Sequence, residues 1–411
     1  MSDTVAVDLT DLDLFVCNEH HGVLAWLREH DPVHRHPLGD GAFWALTRYD
    51  DVLRAYRDHT TFSSSSGAIL GGSFRSETDT AAGRMLVASD LPRQRLLRQQ
   101  MHPVFATGMV ERVRRQVDTL VGAALDRLLS AGGGDVATEI APELPAGALM
   151  TMVDIGRTDA LELVSLTRRM IGFQDPSLVG AEDDEARLRL AWLQSEIFEY
   201  FADLIRERRA RPGDDLVSIL LRAEINGRRL PDEDILYNCM NVAVGGNETS
   251  SYTTCAGIAA LMEYPDQYDR LLAQPELLDL AMEEILRWGS TNAYVQRVAT
   301  RDATVGGREI RRGDSVTLWN VSANRDERQF PHADRFDIGR SPNRHLTFGS
   351  GIHRCVGAPV GMVELTSVFG PLTRRGIRLE KAGPVRRLRS NFILGITALP
   401  VTVTVSDRVP A

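Results

Sequence analysis

The chain has 411 residues, 43% hydrophobic and 25% charged, a balance that suits a globular protein with a large core. Its net charge of −9 weighs against nucleic acid as a partner. The first fifteen residues carry four Asp and no Lys or Arg, and no run of about 18 apolar residues occurs, so neither a leader peptide nor a membrane-spanning helix is predicted and a cytoplasmic location is expected.

In chain order, a strand is predicted at residues 43–47, followed by a long Ser- and Gly-rich stretch over 62–92 with little periodicity. Apolar residues then recur at three- and four-residue steps over 108–130, 184–209, 232–263 and 276–289, which predicts helices. The basic clusters at Arg112, Arg114 and Arg115 and at Arg206, Arg208 and Arg209 read as solvated helix faces, and 208–215 as a helix end plus a loop. Short strands follow at 303–305 and 308–310, joined by Gly306–Gly307 as a hairpin, then at 315–319 and 399–405. No linker, repeat or low-complexity tract divides the chain. A single domain over 1–411 is expected, mainly α with small antiparallel β-sheets.

The four cysteines, Cys17, Cys239, Cys255 and Cys355, show no Cys-x-x-Cys spacing, so a zinc ribbon or redox pair is not indicated. Three of them read as small buried hydrophobes. Cys355 differs, because Phe348-Gly349-Ser-Gly351-Ile-His353-Arg-Cys355-Val-Gly357 surrounds it with glycines and residues 360–368 beyond read as helix. Glycine lets backbone approach a flat ligand closely. A thiolate just before a helix gains from unpaired amides and the positive helix end, which lower its pKa.

This segment resembles the haem-binding loop of the cytochrome P450 family, and every defining position is present. The resemblance implies the P450 fold and haem b, with Cys355 as proximal iron ligand and Phe348, Gly349, His353 and Gly357 shaping the loop. A thiolate ligand favours O–O cleavage. Other landmarks resembling the family cover roughly residues 90–400. Glu284 and Arg287 sit three apart on one helix face. With the Ala323–Asp326 and Asp334-Arg335-Phe336 segments they resemble the family's structural ion-pair network, in which Arg335 is expected as third member. Ala333 stands where the family has Pro.

The segment Asn241 to Ser250 resembles the family's oxygen-activating helix. Two glycines inside a helix, Gly245 and Gly246, cost roughly 1 kcal/mol each relative to alanine. Thr249, four residues after Gly245, is expected to bond back to the Gly245 carbonyl and bend the helix. Glu248 and Thr249 match the family's acid–alcohol pair, which delivers protons during oxygen activation. Haem propionates call for cations, and by family position these are Arg98, Arg297 and His353. A His is usual where Gln94 stands, so one propionate contact is expected to be neutral or lost.

Carried over by position, the substrate pocket is lined by the 62–92 loop including Leu86, by residues 170–173, by Asn241, Val244 and Gly245, by 293–295 with Tyr294, and by Ile393 and Leu394. Asn241, Asn292 and Tyr294 make this wall partly polar, and a buried Asn must find a partner. The implied reaction is insertion of one oxygen atom from O2 into a medium-sized, partly polar substrate such as a polyketide or peptide-derived secondary metabolite. No flavin or dinucleotide fingerprint follows the loop, so electrons are expected from a ferredoxin and ferredoxin reductase, with Arg93 and Arg95 as docking candidates. The alternatives are a peroxide-driven haem-thiolate enzyme, disfavoured by the intact Glu248–Thr249 pair, and a non-catalytic haem or small-molecule binding protein.

Overall fold

The structure, a computed structural model, describes residues 7–39, 41–70, 81–180 and 186–405. Positions 1–6, the 71–80 part of the predicted loop and residues 184–185 of a predicted helix lie outside the described residues. Helices form the bulk, and five of them frame the site: α1 (Arg93–Met101), α2 (Arg157–Ile171), α3 (Asp232–Glu263), α4 (Leu278–Gly289) and α5 (Ala358–Arg374).

The chain signals its own helix ends. Asp232, Glu233 and Asp234 occupy the first turn of α3, where negative charge meets the positive end of the helix dipole. Pro265 follows its last turn and opens the next helix instead of continuing this one. Helix α3 is rich in apolar and small residues on all sides and is correspondingly enclosed, packing against α2, α4 and α5 and against the Ala186–Ala210 helix. The helix Thr107–Ala131 stops at Gly132, whose φ of 72° is the left-handed conformation that closes a helix.

Five strands form the main sheet: β1 (Val33–Leu38), β2 (Gly41–Leu46), β3 (Phe62–Ser63), β4 (Tyr294–Ala299) and β5 (Ser315–Trp319), in the order β1-β2-β5-β4-β3. The small sheets are mostly antiparallel, as expected, but β2 and β5 run parallel, with Ser315 beside Phe43. A parallel pair needs a long crossover, and here most of the helical body lies between the two strands. The hairpin 303–310 forms as predicted.

Periodicity missed β1 and β4. In β1 the sequence VHRHPL offers no alternation, and in β4 both Gln296 and Arg297 are buried, which breaks the period of two. The basic cluster at 206–209 is also only partly solvated. Arg208 is buried, donating to Asp215 at 3.1 Å and to the carbonyls of Val153 and Asp154. Asp215 in turn caps the next helix through the amides of Val217 and Ser218.

Candidate active site

The Cys355 loop is built from short-range backbone bonds. Gly349 N donates to the Leu346 carbonyl at 2.8 Å, and Cys355 N donates to the Phe348 carbonyl at 2.8 Å. Gly349 and Gly351 have φ of 64° and 68°, which only glycine adopts cheaply. A Cβ on Gly351 would lie 2.6 Å from the Tyr56 carbonyl oxygen, so the loop lies directly against the Tyr49–Arg57 helix. The sulfur stands close to Gly357, and helix α5 begins at the next residue.

Cys355 is exposed at this surface, while Cys239 and Cys255 are buried as expected. Cys17, read from the sequence as buried, is exposed at a helix end. Although Cys355 presents an open surface, it lies deep among protein atoms, and this burial pushes its thiol up. The backbone at Gly357 and Ala358 and the Arg98 charge pull the other way, as the helix position predicted, but burial outweighs them.

Two arginines and a histidine converge beside the loop. Arg297, on β4, is 6% exposed, bonds to the Gln296 carbonyl, and makes no ion pair with any described residue. Burial lowers its pKa. Arg98, from α1, bonds to the Arg354 carbonyl at 2.7 Å. His353 is pushed down to about 3, first by burial and then by the Arg297 charge, and its Nε2 has no partner. A buried guanidinium without a carboxylate is costly, so an anionic group belongs here. Haem b brings two carboxylates and an iron that accepts thiolate, and this donor set fits it. Gln94 donates its amide to the Ile352 carbonyl at 2.7 Å and braces the loop.

Helix α3 forms the other wall. Gly245 and Gly246 are exposed, and a Cβ at either would meet nothing within 4 Å. Thr249 donates to the Gly245 carbonyl at 2.8 Å, as predicted, while the helix runs unbroken through it. Next to this open groove, Glu248 is fully buried and accepts from Arg168 Nε at 3.0 Å. Burial raises its carboxyl pKa, and Arg168 and Tyr252 hold part of that rise back. The adjacent residues form a second bridge between the same helices, Asn247 donating to Thr167 at 2.8 Å. Arg168 escaped the sequence reading because it lies 80 positions away from Glu248.

The predicted pocket residues divide by exposure. Asn241 and Val244 are half-buried and Gly245 is exposed. Asn241 makes no hydrogen bond through its side chain to any described residue. Tyr294 departs from the expectation. It is 1% exposed, packed on Trp319 and Phe392, with its hydroxyl accepting from Leu70 N. Leu86 and Ile393, each 3% exposed, likewise belong to apolar clusters and offer no open surface. Asn292 also bonds to protein, accepting from Asn320 at 3.1 Å. Arg93 is tied to Asp234 and the Gly83 carbonyl, whereas Arg95 is exposed and makes no ion pair among the described residues.

The structural ion-pair network is present with one correction. Glu284 accepts from Arg287 at 2.7 and 2.8 Å, but its second cation is Arg340, at 3.1 Å, and not Arg335. Arg335 contributes only its backbone carbonyl. Ala333 also acts through its carbonyl, so the family's proline would serve equally there.

A family model described as cytochrome P450 matches residues 184–375. Linalool 8-monooxygenase of Pseudomonas putida is 32% identical over 96% of this chain and 98% of its own length. Cyclomarin C epoxidase CymV of Salinispora arenicola is 33% identical over 88% of this chain and 90% of its own. Among solved structures, Mycobacterium marinum cytochrome P450 CYP268A2 in complex with pseudoionone superposes with a TM-score of 0.88 at 31% identity, covering 98% of this chain and 99% of that one. The chain belongs to the cytochrome P450 family and is a haem b-dependent monooxygenase. It acts on small organic substrates with dioxygen and external electron donors. No helix among the described residues is long and apolar enough to cross a membrane.

Proposed function

We propose that this monooxygenase, acting as one domain over residues 1–411, inserts oxygen into a medium-sized, partly polar secondary metabolite with electrons from a ferredoxin and its reductase. The observation that carries the reading is the pairing of a buried acid with an alcohol at an open groove. Thr249 Oγ1 is spent as donor on the Gly245 carbonyl, so its lone pairs are free to accept a hydrogen bond from the groove side. Glu248, held by Arg168 beside it, is the acid that supplies protons.

Bound haem b supplies electron acceptance and oxygen activation. This chain's part is to hold it, with Cys355 as thiolate ligand and Phe348, Gly349 and Gly357 forming the loop. Arg98, Arg297 and His353 take the propionates. Asn241, the polar wall residue whose side chain has no hydrogen-bond partner among the described residues, orients the substrate, with Val244 and Gly245 beside it. The relatives named for linalool and cyclomarin C support an organic natural product of moderate size. Arg95 remains a docking candidate for the ferredoxin, whereas Arg93 is engaged internally.

The test is turnover with NADPH, ferredoxin, reductase and O2, compared with turnover on peroxide alone. Product should form only with the electron chain, and Cys355→Ala should abolish the characteristic absorption band of the reduced, CO-bound protein. A mutant that keeps the band, or equal turnover on peroxide, overturns the proposal. Alanine at Cys17, Cys239 or Cys255 should leave the band unchanged.

A further inference from the structure

Glu248 and Tyr252 lie one turn apart on the same face of α3. Both are buried, Tyr252 at 1% exposure, and Glu248 Oε1 and the Tyr252 hydroxyl each lack a hydrogen bond. The hydroxyl is nevertheless close enough to lower the proton affinity of the Glu248 carboxyl. Two partnerless polar atoms side by side in a protein interior are costly unless they serve each other.

The tyrosine ring is held in one place. A Cβ on Gly395 would come within 2.8–2.9 Å of it, so only a glycine lets that backbone lie against the ring. Leu388 and Ile393 complete a small apolar cluster around it. The Arg168 guanidinium carbon sits 5.8 Å from the ring centre, so one arginine contacts both the carboxylate and the ring. A phenol fixed this firmly, next to an acid, has little freedom to turn elsewhere.

We infer that Tyr252 is a positioning residue for Glu248: a small torsion of the carboxylate pairs Oε1 with the tyrosine hydroxyl while Oε2 stays on Arg168, and this doubly held pose aims the acid for proton delivery toward Thr249. The inference rests on the reading of Glu248 as the proton-supplying acid. Arg168 alone fixes one oxygen and leaves the carboxylate free to swing about that bond. Tyr252 supplies the second point that defines its plane. The hydroxyl stays protonated as donor, since burial and the neighbouring Glu248 charge keep its pKa well above the ordinary value.

The test is Tyr252→Phe in the haem-loaded protein, which keeps the ring and its packing and removes only the hydroxyl. Thermal unfolding, haem content and substrate affinity should match the wild type. Turnover should fall three- to tenfold, with a larger solvent isotope effect, because proton delivery becomes slower while other steps stand. A readout independent of turnover is the infrared carboxylate stretch of protein labelled with 13C-glutamate, the Glu248 band being assigned by its loss in Glu248→Gln. That band should shift in Tyr252→Phe. An unshifted band overturns the inference whatever happens to turnover, as does a shifted band with wild-type turnover and isotope effect. If the wild type itself forms no product with any electron donor, the proposed function fails, while the infrared comparison still decides whether Tyr252 holds Glu248.

Discussion

Glu284 and Glu248 are each without exposed surface and each bonded to an arginine, yet their surroundings differ in completeness. Around Glu284 both oxygens are filled by Arg287, Arg340, Asn343 and the Asp337 amide. Arg287 itself spends all its donors, on Glu284 and on the carbonyls of Asn324, Ala333 and Arg335. Around Glu248 there is one arginine, a neighbouring phenol and a partnerless oxygen. A buried acid filled by two arginines, a side-chain amide and a backbone amide defines a geometry, whereas an acid facing one arginine and a neutral phenol can change protonation state. The first arrangement suits a scaffold that pins α4 to the segment before the haem loop. The second suits an acid that must work.

Breaking the complete network should therefore cost the most. Glu284→Ala leaves the buried Arg287 and the half-buried Arg340 uncompensated, and a loss of about 3–5 kcal/mol is expected. Chemical denaturation and haem content report it, since the segment 335–343 that leads into the loop would lose its anchor. A stable, haem-replete variant would show that the packing alone holds this region and would erase the contrast.

Glu248→Gln should do the opposite, sparing stability and removing function. The neutral amide costs less to bury than the carboxylate, so unfolding should change by no more than about 1 kcal/mol. Turnover should fall by about 100-fold, the usual contribution of a placed acid. Large destabilisation with modest kinetic loss would mean that the Arg168 pair is structural, like the Glu284 network.

A third buried carboxyl sharpens the series. Glu364, on α5, is 2% exposed and, among the described residues, has no arginine and leaves Oε1 without a partner. Burial pushes it up to about 8, against a small opposing pull from Ser250. Its folded pKa lies above the unfolded 4.5, so between these values the native state holds the extra proton and stability falls as pH rises. The slope is at most about 1.4 kcal/mol per pH unit, and the loss is complete above the folded value. Glu364→Gln should remove this component. Urea midpoints of both proteins at steps from pH 5 to 9 would then converge or diverge; parallel curves would show that Glu364 stays ionised throughout.

What could be read from the sequence was local. The Cys355 loop closes on itself within a few residues, through the Phe348 carbonyl and glycines with positive φ, so its pattern is visible in a single stretch. The Thr249–Gly245 bond and the Glu284–Arg287 pair follow from the helical repeat, which places residues three and four apart side by side. Tyr294, expected by position to line the pocket, packs inward on Trp319 and Phe392, because a matching family position says where a backbone runs, not which way a ring packs.

Tertiary structure alone decided the rest. It chose Arg340 over Arg335 as the partner of Glu284 and brought Arg168 to Glu248, pairs separated by 56 and 80 positions. It also left Arg297 in the interior with no ion-pair partner among the described residues. A helix or a tight turn dictates the neighbours of each residue within one repeat, so those contacts are written in spacing. Pairs between distant segments depend on how whole helices pack, on which face turns inward and on which donors are already spent, and many arginines in this chain could have met either acid equally well by sequence.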